Sequence, residues 1–348
     1  MHQRWKLIAI FVAVGSVFSP IWADGCSYVI KSGDNASCEA WDCGTTDYMT
    51  CCGEIGASAG FRQDCSWGLY VTGEALYWQA LQGGLEYALL DTNTGDGIND
   101  GKDYTTGNVW DWGSRVSLGY NATCDDWDWV AIYTRFHTSN DSLVSSGAAL
   151  VQDILMSINQ YINAFATWIL RFDQIDLDVG RALYLGRCLA VRPHIGLRAI
   201  WVDDKQHVDY SGGINPVEDI DLECKFWGIG IKGGCGTNWG LCGGFSIYGD
   251  LSLAILQGYE DAHCSAFSAG ALVTKTKDFY RIGKTNIDLM LGLQWDAILC
   301  KTMHLGLNVG WDLHMYPDIW QWLHTAITPT PSGDLVFNGV SFGGRLDF

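Results

Sequence analysis

Hydrophobic and polar residues alternate along the C-terminal third of the chain. Apolar residues occupy every second position from Ile287 to Trp295 and again from Leu305 to Met315, and the residues between them are mostly polar or small. The last stretch, from Val336 to Phe348, follows the same pattern less strictly. Side chains of a β-strand point alternately to opposite faces, so each stretch predicts a strand with one apolar and one polar face.

Stretches of this kind recur through most of the chain and predict ten strands, although eight or twelve strands would also fit. The predicted strands span 67–80, 108–121, 127–138, 171–186, 189–202, 220–234, 239–257, 280–297, 301–316 and 334–348. Short connections at 121–126, 186–188, 233–239 and 297–301 alternate with long ones at 81–107, 139–170, 203–219, 258–279 and 317–333. This alternation is typical of the periplasmic turns and extracellular loops of an outer-membrane barrel.

Aromatic residues and strand length favour a membrane barrel over a soluble all-β protein, which would need further layers to cover the same apolar faces. The apolar stretches are about 10 residues long, as a tilted membrane strand requires. Aromatic residues stand near many predicted strand ends and resemble the interfacial girdles of barrels. These aromatic residues are Trp67, Tyr77, Trp110, Trp112, Tyr120, Trp127, Trp129, Trp201, Trp295 and Tyr316. The fold class is therefore predicted as all-β, a transmembrane antiparallel β-barrel.

Composition and the N-terminus bear on the location of the protein. The 348 residues include 21 Lys+Arg and 39 Asp+Glu, a formal charge of −18, and 48% are hydrophobic. The apolar content argues against disorder, and the acidity argues against nucleic-acid binding. Residues 1–23 combine a basic start with a short apolar run, as a cleaved secretory signal does. We expect a Cys-rich periplasmic segment at 24–66, a barrel at 67–348, and location in the bacterial outer membrane.

Two segments deviate from the simple strand pattern. Arg181 would face lipid if its strand keeps its frame, and the frame near Lys225 is irregular. Within the second long loop, apolar residues recur at helical spacing and predict an amphipathic helix that folds into the lumen, packs on the rim or packs against a partner. They are Ile154, Ile158, Tyr161, Ile162, Phe165 and Ile169.

The polar face of the predicted strands gives a set of candidate pore-lining residues. They are Glu74, Asp111, Arg115, Asp176, Asp178, Arg192, His194, Arg198, Lys232, Asp250, Asp288, Asp296, Asp312, His314, Arg345 and Asp347. Mixed charges of this kind form either a salt-bridged plug or the wet wall of a channel, and an excess of acid would favour cations. A barrel of ten strands is narrow, so ions and small solutes are the expected limit.

Most of the 13 cysteines lie before the predicted barrel or near its predicted periplasmic turns. The disulfide candidates are Cys26, Cys38, Cys43, Cys51, Cys52, Cys65, Cys124, Cys188, Cys235, Cys242 and Cys300, whereas Cys224 and Cys264 lie near the outer side. The periplasm is oxidising, so the candidates could staple the N-terminal segment beneath the barrel or link neighbouring chains. A zinc site in the N-terminal segment and buried unpaired thiols are the alternatives.

Other motifs give weaker hypotheses. Residues 91–103 are rich in Asp, Asn and Gly, so calcium could bind there, but such residues also favour turns. The candidate calcium ligands are Asp91, Asn93, Asp96, Asn99 and Asp100. The patterns Gly56-x-Ser58-x-Gly60 and Gly228-x-Gly230-x-x-Gly233 lack the strand–helix context of a nucleophile elbow or a dinucleotide site.

Several segments resemble the Legionella-type pore-forming outer-membrane proteins, which include the major-outer-membrane-protein-like porins of environmental chlamydiae. The similar segments are 67–78 (WGLYVTGEALYW), 111–120 (DWGSRVSLGY), 127–129 (WDW), 192–198 (RPHIGLR), 226–230 (FWGIG), 238–240 (NWG), 244–248 (GFSIY) and 310–314 (GWDLH). The resemblance covers about 67–348 and implies a barrel, pore formation and a structural role in the envelope. The terminal Phe348 looks like the signal that barrel-assembly machinery reads.

These observations favour a non-enzymatic porin or channel for small solutes or ions, cation-leaning, with a structural role through disulfides. The alternative is a non-conducting surface protein, structural or adhesive, cross-linked by disulfides. A third hypothesis is a hydrolase using Asp203, Asp204 and His207. Expected partners are outer-membrane lipid, the barrel-assembly machinery and, through disulfides, further copies or other Cys-rich envelope proteins. No cofactor is expected apart from the possible calcium.

Overall fold

Ten long antiparallel strands form a closed barrel in the computed structural model. It describes residues 55–56, 60–61, 68–91, 101–122, 127–145, 150–153, 160–185, 188–212, 217–241, 243–299, 303–321 and 332–348. The strands are β1 (Leu69–Gln82), β2 (Val109–Asn121), β3 (Trp127–Ser145), β4 (Asn163–Arg181), β5 (Leu189–Ser211), β6 (Glu218–Gly240), β7 (Phe245–Ser268), β8 (Ala271–Leu299), β9 (Met303–Gln321) and β10 (Ser332–Asp347). The predicted barrel and its ten strands are confirmed. None of the described residues belongs to a helix long and apolar enough to cross a membrane.

Each strand pairs with its neighbour in sequence, and the last strand pairs with the first. The seam between β10 and β1 runs from the pair Leu335–Gln82 to the pair Asp347–Tyr70. Closure leaves the barrel sheet without a free edge, so backbone groups facing lipid are hydrogen-bonded between strands. Both ends of the barrel chain therefore meet at one rim, which we call periplasmic because the short connections lie there.

The strands extend further at the opposite, extracellular rim than the sequence indicated. Strands β5, β6, β7 and β8 contain 23, 23, 24 and 29 residues. The predicted long loop at 258–279 is mostly strand, because β7 and β8 meet in a tight turn at Ala269 and Gly270, both with positive φ. Outward positions beyond the membrane are polar, so the polarity contrast between the two faces fades there and the strands resembled loops.

Two predicted details of β6 are wrong. The proposed connection at 233–239 lies inside the strand, and the chain turns after Gly240 instead. Small residues such as Gly233, Gly234 and Gly236 suggested a turn, but they pair regularly with residues of β5. The frame does not slip at Lys225, because that side chain faces outward in an unbroken register, above the lipid-facing surface.

The helix predicted around 154–169 is wrong wherever the structure describes that segment. Strand β4 begins at Asn163, and the shorter strand Gln160–Tyr161 precedes it. Ala164, Ala166, Trp168 and Leu170 are buried inside the barrel while Phe165 faces outward. Both faces of the strand are apolar at this level, and a run of apolar residues on both faces mimics helical spacing. Ile154 and Ile158 lie outside the described residues.

A second, smaller sheet is associated with the extracellular end of the barrel. Its strands are Gly101–Thr105, Glu86–Asp91, Leu150–Asp153 and Gln160–Tyr161, in that order. Tyr87 and Ala88 from this sheet pack with Val208 and Tyr210 of β5 in one buried apolar cluster. The Tyr87 hydroxyl lies 2.8 Å from Ser142 Oγ of β3. This sheet covers inward-facing residues that would otherwise be open to solvent.

The outer surface of the barrel carries a continuous apolar band, which we call the belt. Outward-facing Leu197, Ile231, Leu253 and Leu291 are exposed although large and apolar. Exposed aromatic residues stand at both margins of the belt: Tyr120, Trp127, Trp129 and Trp239 at the periplasmic margin, and Tyr77, Trp110, Trp112, Trp201, Trp227 and Trp311 at the extracellular margin. Such a band between aromatic girdles is the surface that a lipid bilayer covers.

Arg181 and Tyr316, at the margins of the belt, point in opposite directions. Arg181 faces outward as expected, at the periplasmic end of β4, where its guanidinium lies 5.8 Å from the ring centre of Trp127. The aqueous interface therefore remains accessible to its charge. Tyr316, assigned to a girdle from the sequence, instead points into the barrel and is buried.

The belt generates a prediction about folding into lipid. Replacing Leu253, in the belt, with Arg should destabilise the folded barrel by about 2–4 kcal/mol, because lipid solvates a guanidinium poorly. Ser265→Arg introduces the same side chain on the outward face of the same strand but above the belt, so it should change the free energy of unfolding little. Chemical unfolding of both variants in vesicles measures the difference, and equal stabilities would contradict the membrane placement of the belt.

Candidate functional site in the barrel lumen

All sixteen polar residues predicted for the inner face of the barrel lie on it. Their direction follows from the strand register: Glu74 pairs with Arg115, and Asp111 pairs with the buried Trp78. Asp176, Asp288, Asp312 and the other central members are almost fully buried. The placement follows from strand periodicity alone, whereas a role as pore lining stays a prediction.

A continuous chain of ion pairs crosses the middle of the lumen. Arg115 Nη1 lies 2.7 Å from Glu74, and its Nη2 lies 3.2 Å from Asp312. His314 Nδ1 lies 2.7 Å from Asp288 and its Nε2 4.0 Å from Asp312, so the imidazole joins the two carboxylates. The chain thus connects β1 and β2 with β8 and β9.

Arg198 continues this chain to the other side of the barrel. It binds Asp288 through Nη1 and lies 2.6 Å from Asp176 through Nη2. Lys232 Nζ lies 3.1 Å from Asp176 and 2.7 Å from Asp178. A buried charge is tolerated when it is paired and hydrogen-bonded, and these side chains satisfy that condition for one another.

A polar cavity of about 210 Å³ lies on the periplasmic side of the chain of ion pairs. Glu74, Arg115, Tyr248, Asp250 and Asn308 contribute to its wall. The cavity has room for several water molecules. Because its wall carries both acids and bases, ions and polar solutes are the species that it suits.

A second group of charged residues lies near the periplasmic rim. His304 is hydrogen-bonded through Nδ1 to Asp347 at 2.7 Å, and its Nε2 lies 3.0 Å from Asp296. Arg345 pairs with Asp347 at 2.6 Å, and its guanidinium carbon lies 3.6 Å from the ring centre of Tyr70. This group joins the ends of β8, β9 and β10 to the start of β1.

A cluster of aromatic rings closes the lumen on the extracellular side of the ion pairs. We call Trp78, Phe136, Phe172, Tyr316 and Phe337 the ring plug. The centre of the Phe337 ring lies 5.6, 5.2, 4.8 and 6.2 Å from the centres of the other four, in that order. All five are at most 1% exposed. The rings pack against one another in tilted and edge-to-face orientations, as aromatic side chains do in a protein core.

A buried carboxyl with no cationic partner among the described residues lies beyond the ring plug. Asp204 accepts hydrogen bonds from Gln82 Nε2 and, at 2.7 Å, from Trp168 Nε1. Its outward neighbours Asp203 and Lys205 are charged, so this level lies above the belt. Burial raises the pKa of Asp204 to about 8, so the carboxyl is mostly protonated at neutral pH.

A further buried ionic group follows at the extracellular level. Lys284 Nζ lies 2.9 Å from Glu260 Oε2, and the Tyr280 hydroxyl donates to Glu260 Oε1 at 2.7 Å. The Cys224 thiol lies 3.5 Å from the same oxygen. Sequence patterns missed Glu260 because the segment 258–279 was predicted as loop. Lys284 was missed although it lies on the inward face of the predicted strand 280–297.

The hydrolase hypothesis receives no support from the placement of its residues. Asp203 and Asp204 point to opposite faces of β5, and His207 is on the outer face, near Asp221 rather than Asp203. The three side chains therefore do not converge on one substrate position. The two glycine motifs also fail structurally: Gly228 and Gly230 are mid-strand, and the strand Gly60–Phe61 occupies the place where a nucleophile elbow requires a helix.

The cysteine predictions have mixed outcomes. Cys188, at the periplasmic rim, takes part in a disulfide bond. Cys235 was placed beside a turn but lies within β6 on the outer face, where its thiol is free. Cys224 and Cys264 are buried inside the extracellular part of the barrel. The candidates Cys26, Cys38, Cys43, Cys51, Cys52, Cys65, Cys124, Cys242 and Cys300 lie outside the described residues.

The calcium hypothesis concerns residues that are largely outside the described ones. Asp91 and Gly101 pair at the ends of two strands of the small sheet. Asn93, Asp96, Asn99 and Asp100 are not described, and neither are the signal segment 1–23 and most of the segment 24–66. Calcium at 91–103 therefore stays a prediction.

Sequence reasoning missed part of the lumen. Asp128, which pairs with Arg192, and His304 were overlooked although both occupy polar positions between outward apolar residues. The whole ring plug was missed as well. Its signal was present as segments that are apolar on both faces, such as Leu76-Tyr77-Trp78 and Val336-Phe337.

Comparison with known protein families agrees with this architecture. Residues 65–348 match the family described as the Legionella pneumophila major outer membrane protein precursor. The chain belongs to this Legionella major outer membrane protein family. The match covers the whole barrel, so the membrane around the belt is a bacterial outer membrane. No curated protein sequence matches the chain.

Several solved structures show distant similarity to this family member. The outer-membrane protease OmpT of Escherichia coli is 9% identical with a TM-score of 0.43, covering 82% of this chain and 98% of OmpT. A FadL homologue of Pseudomonas aeruginosa is 7% identical with a TM-score of 0.28, covering 84% and 92%. The toluene transporter TodX of P. putida is 9% identical with a TM-score of 0.22, also covering 84% and 92%. These scores are too low to support any conclusion about function.

Asp204 generates a prediction about pH and stability. The native pKa of about 8 exceeds the unfolded value of about 3.9, so the folded state binds more protons between these pH values. The contribution of the Asp204 carboxyl to the free energy of unfolding should therefore be greatest near pH 4 and should fall as the pH rises from about 4 to about 8. Asp204→Asn keeps a neutral, hydrogen-bonding side chain and should reduce that dependence. Thermal unfolding in detergent between pH 5 and 8 measures it, and an unchanged pH dependence would contradict the assignment.

Proposed function

We propose that the protein is an outer-membrane channel for ions and small polar solutes, with a lumen that the ring plug closes in this conformation. The observation that carries the proposal is the polar cavity on the periplasmic side, whose wall reaches Glu74 and the ion-paired Arg115. Arg115 in turn lies against Trp78 of the ring plug. Each charge inside a membrane barrel requires a partner, because burying an unpaired charge is costly. A purely structural barrel would gain nothing from surrounding a cavity with so many charges. In this proposal the charged half of the lumen solvates ions, and the ring plug acts as the gate that controls their passage.

Cation preference follows from the charges of the periplasmic half. Among the described inward residues there, the carboxylates outnumber the arginine and lysine side chains by nine to five. The carboxylates are Glu74, Asp128, Asp176, Asp178, Asp250, Asp288, Asp296, Asp312 and Asp347, and the bases are Arg115, Arg192, Arg198, Lys232 and Arg345. Excess negative charge in a narrow, wet lumen favours cations over anions.

A non-conducting structural protein is the second candidate, and the ring plug is the observation that favours it. Rings packed as in a protein core cost considerable free energy to separate, so a permanently closed barrel fits them as well. In this case the protein strengthens the envelope through cysteines near the periplasmic rim, of which Cys188 is disulfide-bonded.

The remaining parts of the functional proposal concern chemistry and partners. We propose a non-enzymatic role for the protein. The exposed belt requires outer-membrane lipid, and the terminal Phe348 beside Leu69 at the closing seam suits recognition by the barrel-assembly machinery. Further partners would be cysteine-containing chains that meet the periplasmic rim.

Planar-bilayer conductance of the refolded protein tests the channel. We expect the wild type to show rare, small, cation-selective steps. Phe337→Ala removes the ring that contacts the other four and should raise the open probability or the conductance several-fold, because cavity formation weakens the plug. The matched control is Phe342→Ala, which removes a lipid-facing ring from the same strand and should leave conductance unchanged.

The outcome that sinks the channel is the absence of steps from both wild type and Phe337→Ala, each shown to be folded by its heat-modifiable electrophoretic mobility. That result would leave the structural role. Repeating the recordings under reducing conditions tests the cysteines. If disulfides brace the periplasmic rim, reduction should increase current fluctuations without abolishing the cation preference.

A further inference from the structure

A histidine and three aspartates form a cluster on the outer face of the extracellular rim. His207 and Asp209 belong to β5, and Asp219 and Asp221 belong to β6. Cross-strand pairing places His207 opposite Asp221 and Asp209 opposite Asp219. All four side chains lie on the solvent side, above the belt. The cluster is separate from the lumen and takes no part in the channel proposed above.

Possible metal-ligand atoms converge within this cluster. Single atoms from His207, Asp209 and Asp219 all lie within 4.8 Å of one another. His207 Nε2 is 3.3 Å from Asp209 Oδ2, and its Nδ1 is 2.8 Å from Asp221 Oδ1. Tetrahedral Zn²⁺ with bonds of about 2.0–2.1 Å holds neighbouring ligand atoms about 3.3 Å apart. The existing separation of the Nε2 and Oδ2 atoms therefore needs little adjustment to accept such an ion.

The charge of the cluster is not balanced by its surroundings. Three carboxylates face one imidazole, and the directly opposed Asp209 and Asp219 repel each other. The adjacent outward cation, Lys205, is engaged 2.7 Å from Glu223. Asp219 Oδ1 lies 3.5 Å from His207 Nδ1 but accepts no hydrogen bond from the described residues. A cation bound between these side chains would offset the excess negative charge and give this oxygen a ligand bond.

We propose that His207, Asp209 and Asp219 bind a divalent transition-metal ion of the Zn²⁺ class at the extracellular rim. Nε2 of His207 would coordinate the ion, while Asp221 keeps its contact with Nδ1 and orients the ring, as carboxylates do behind many metal-bound histidines. The imidazole nitrogen favours a transition metal over Ca²⁺, which prefers six or more oxygen ligands. The ion would tie β5 to β6 close to their connection at 212–217.

Zinc titration of the full-length protein tests the site. The protein is produced without a histidine tag, refolded in detergent and treated with a thiol-alkylating reagent so that cysteines do not compete. We expect the wild type to bind about one more Zn²⁺ by calorimetry than His207→Gln, and Zn²⁺ to raise its unfolding temperature. Asp219→Asn should weaken binding about tenfold or more, because one of three protein ligands is lost.

His263→Gln is the matched control for these variants. His263 lies on the same outer face, one strand further, with its Nε2 3.0 Å from Asp261, but it is not part of the convergent group. Its substitution should leave binding intact. The proposal is overturned if wild-type protein binds no Zn²⁺, if His207→Gln binds as the wild type does, or if His263→Gln loses binding to the same extent. Preferential binding of Ca²⁺, unaffected by His207→Gln, would also overturn it.

Discussion

The lipid that surrounds the barrel is the constraint on which the other features depend. Hydrocarbon offers no hydrogen bonds, so the backbone must satisfy itself through a closed sheet, and outward side chains must be apolar across the belt. Strand periodicity then sends every second residue inward. In this chain many of those inward residues are charged, and since they are buried within a narrow barrel, they must neutralise one another. The chain of ion pairs through Arg115, Asp288, Arg198 and Lys232 is the resulting solution.

The lumen is divided into two chemically different halves. The periplasmic half is held by charge pairs around a cavity with room for several water molecules. The half towards the exterior is held mainly by packed rings and aliphatic side chains, and the pair Lys284–Glu260 is its buried ionic group. The boundary between them is sharp: Trp78 lies beside both His314 and Phe337, and Arg115 lies against its face. A single residue thus contacts the ionic network on one side and belongs to the ring plug on the other.

Much of this architecture could be predicted from the sequence because lipid imposes a simple pattern. Across the belt the contrast between faces is strong, and the strand number, the inward set and the lipid-facing surface follow from it. Beyond the belt the contrast disappears. Outward positions become polar, as at Asp203 and Lys205, and inward positions become apolar, as at Trp168 and Leu170. The extents of β5 to β8, the false helix in β4 and the ring plug all fall in this region, where period-two alternation no longer separates the faces.

The ring plug also has a consequence for the order in which the chain is assembled. Its five rings come from β1, β3, β4, β9 and β10, and the ring at its centre, Phe337, comes from the final strand. A growing chain that lacks this strand has neither the partner that closes β1 nor the residue around which the other rings pack. Seam closure and filling of the lumen are therefore one event, completed when β10 pairs with β1. Until then one edge of β1 has no partner strand, and the other four rings lack the ring around which they pack.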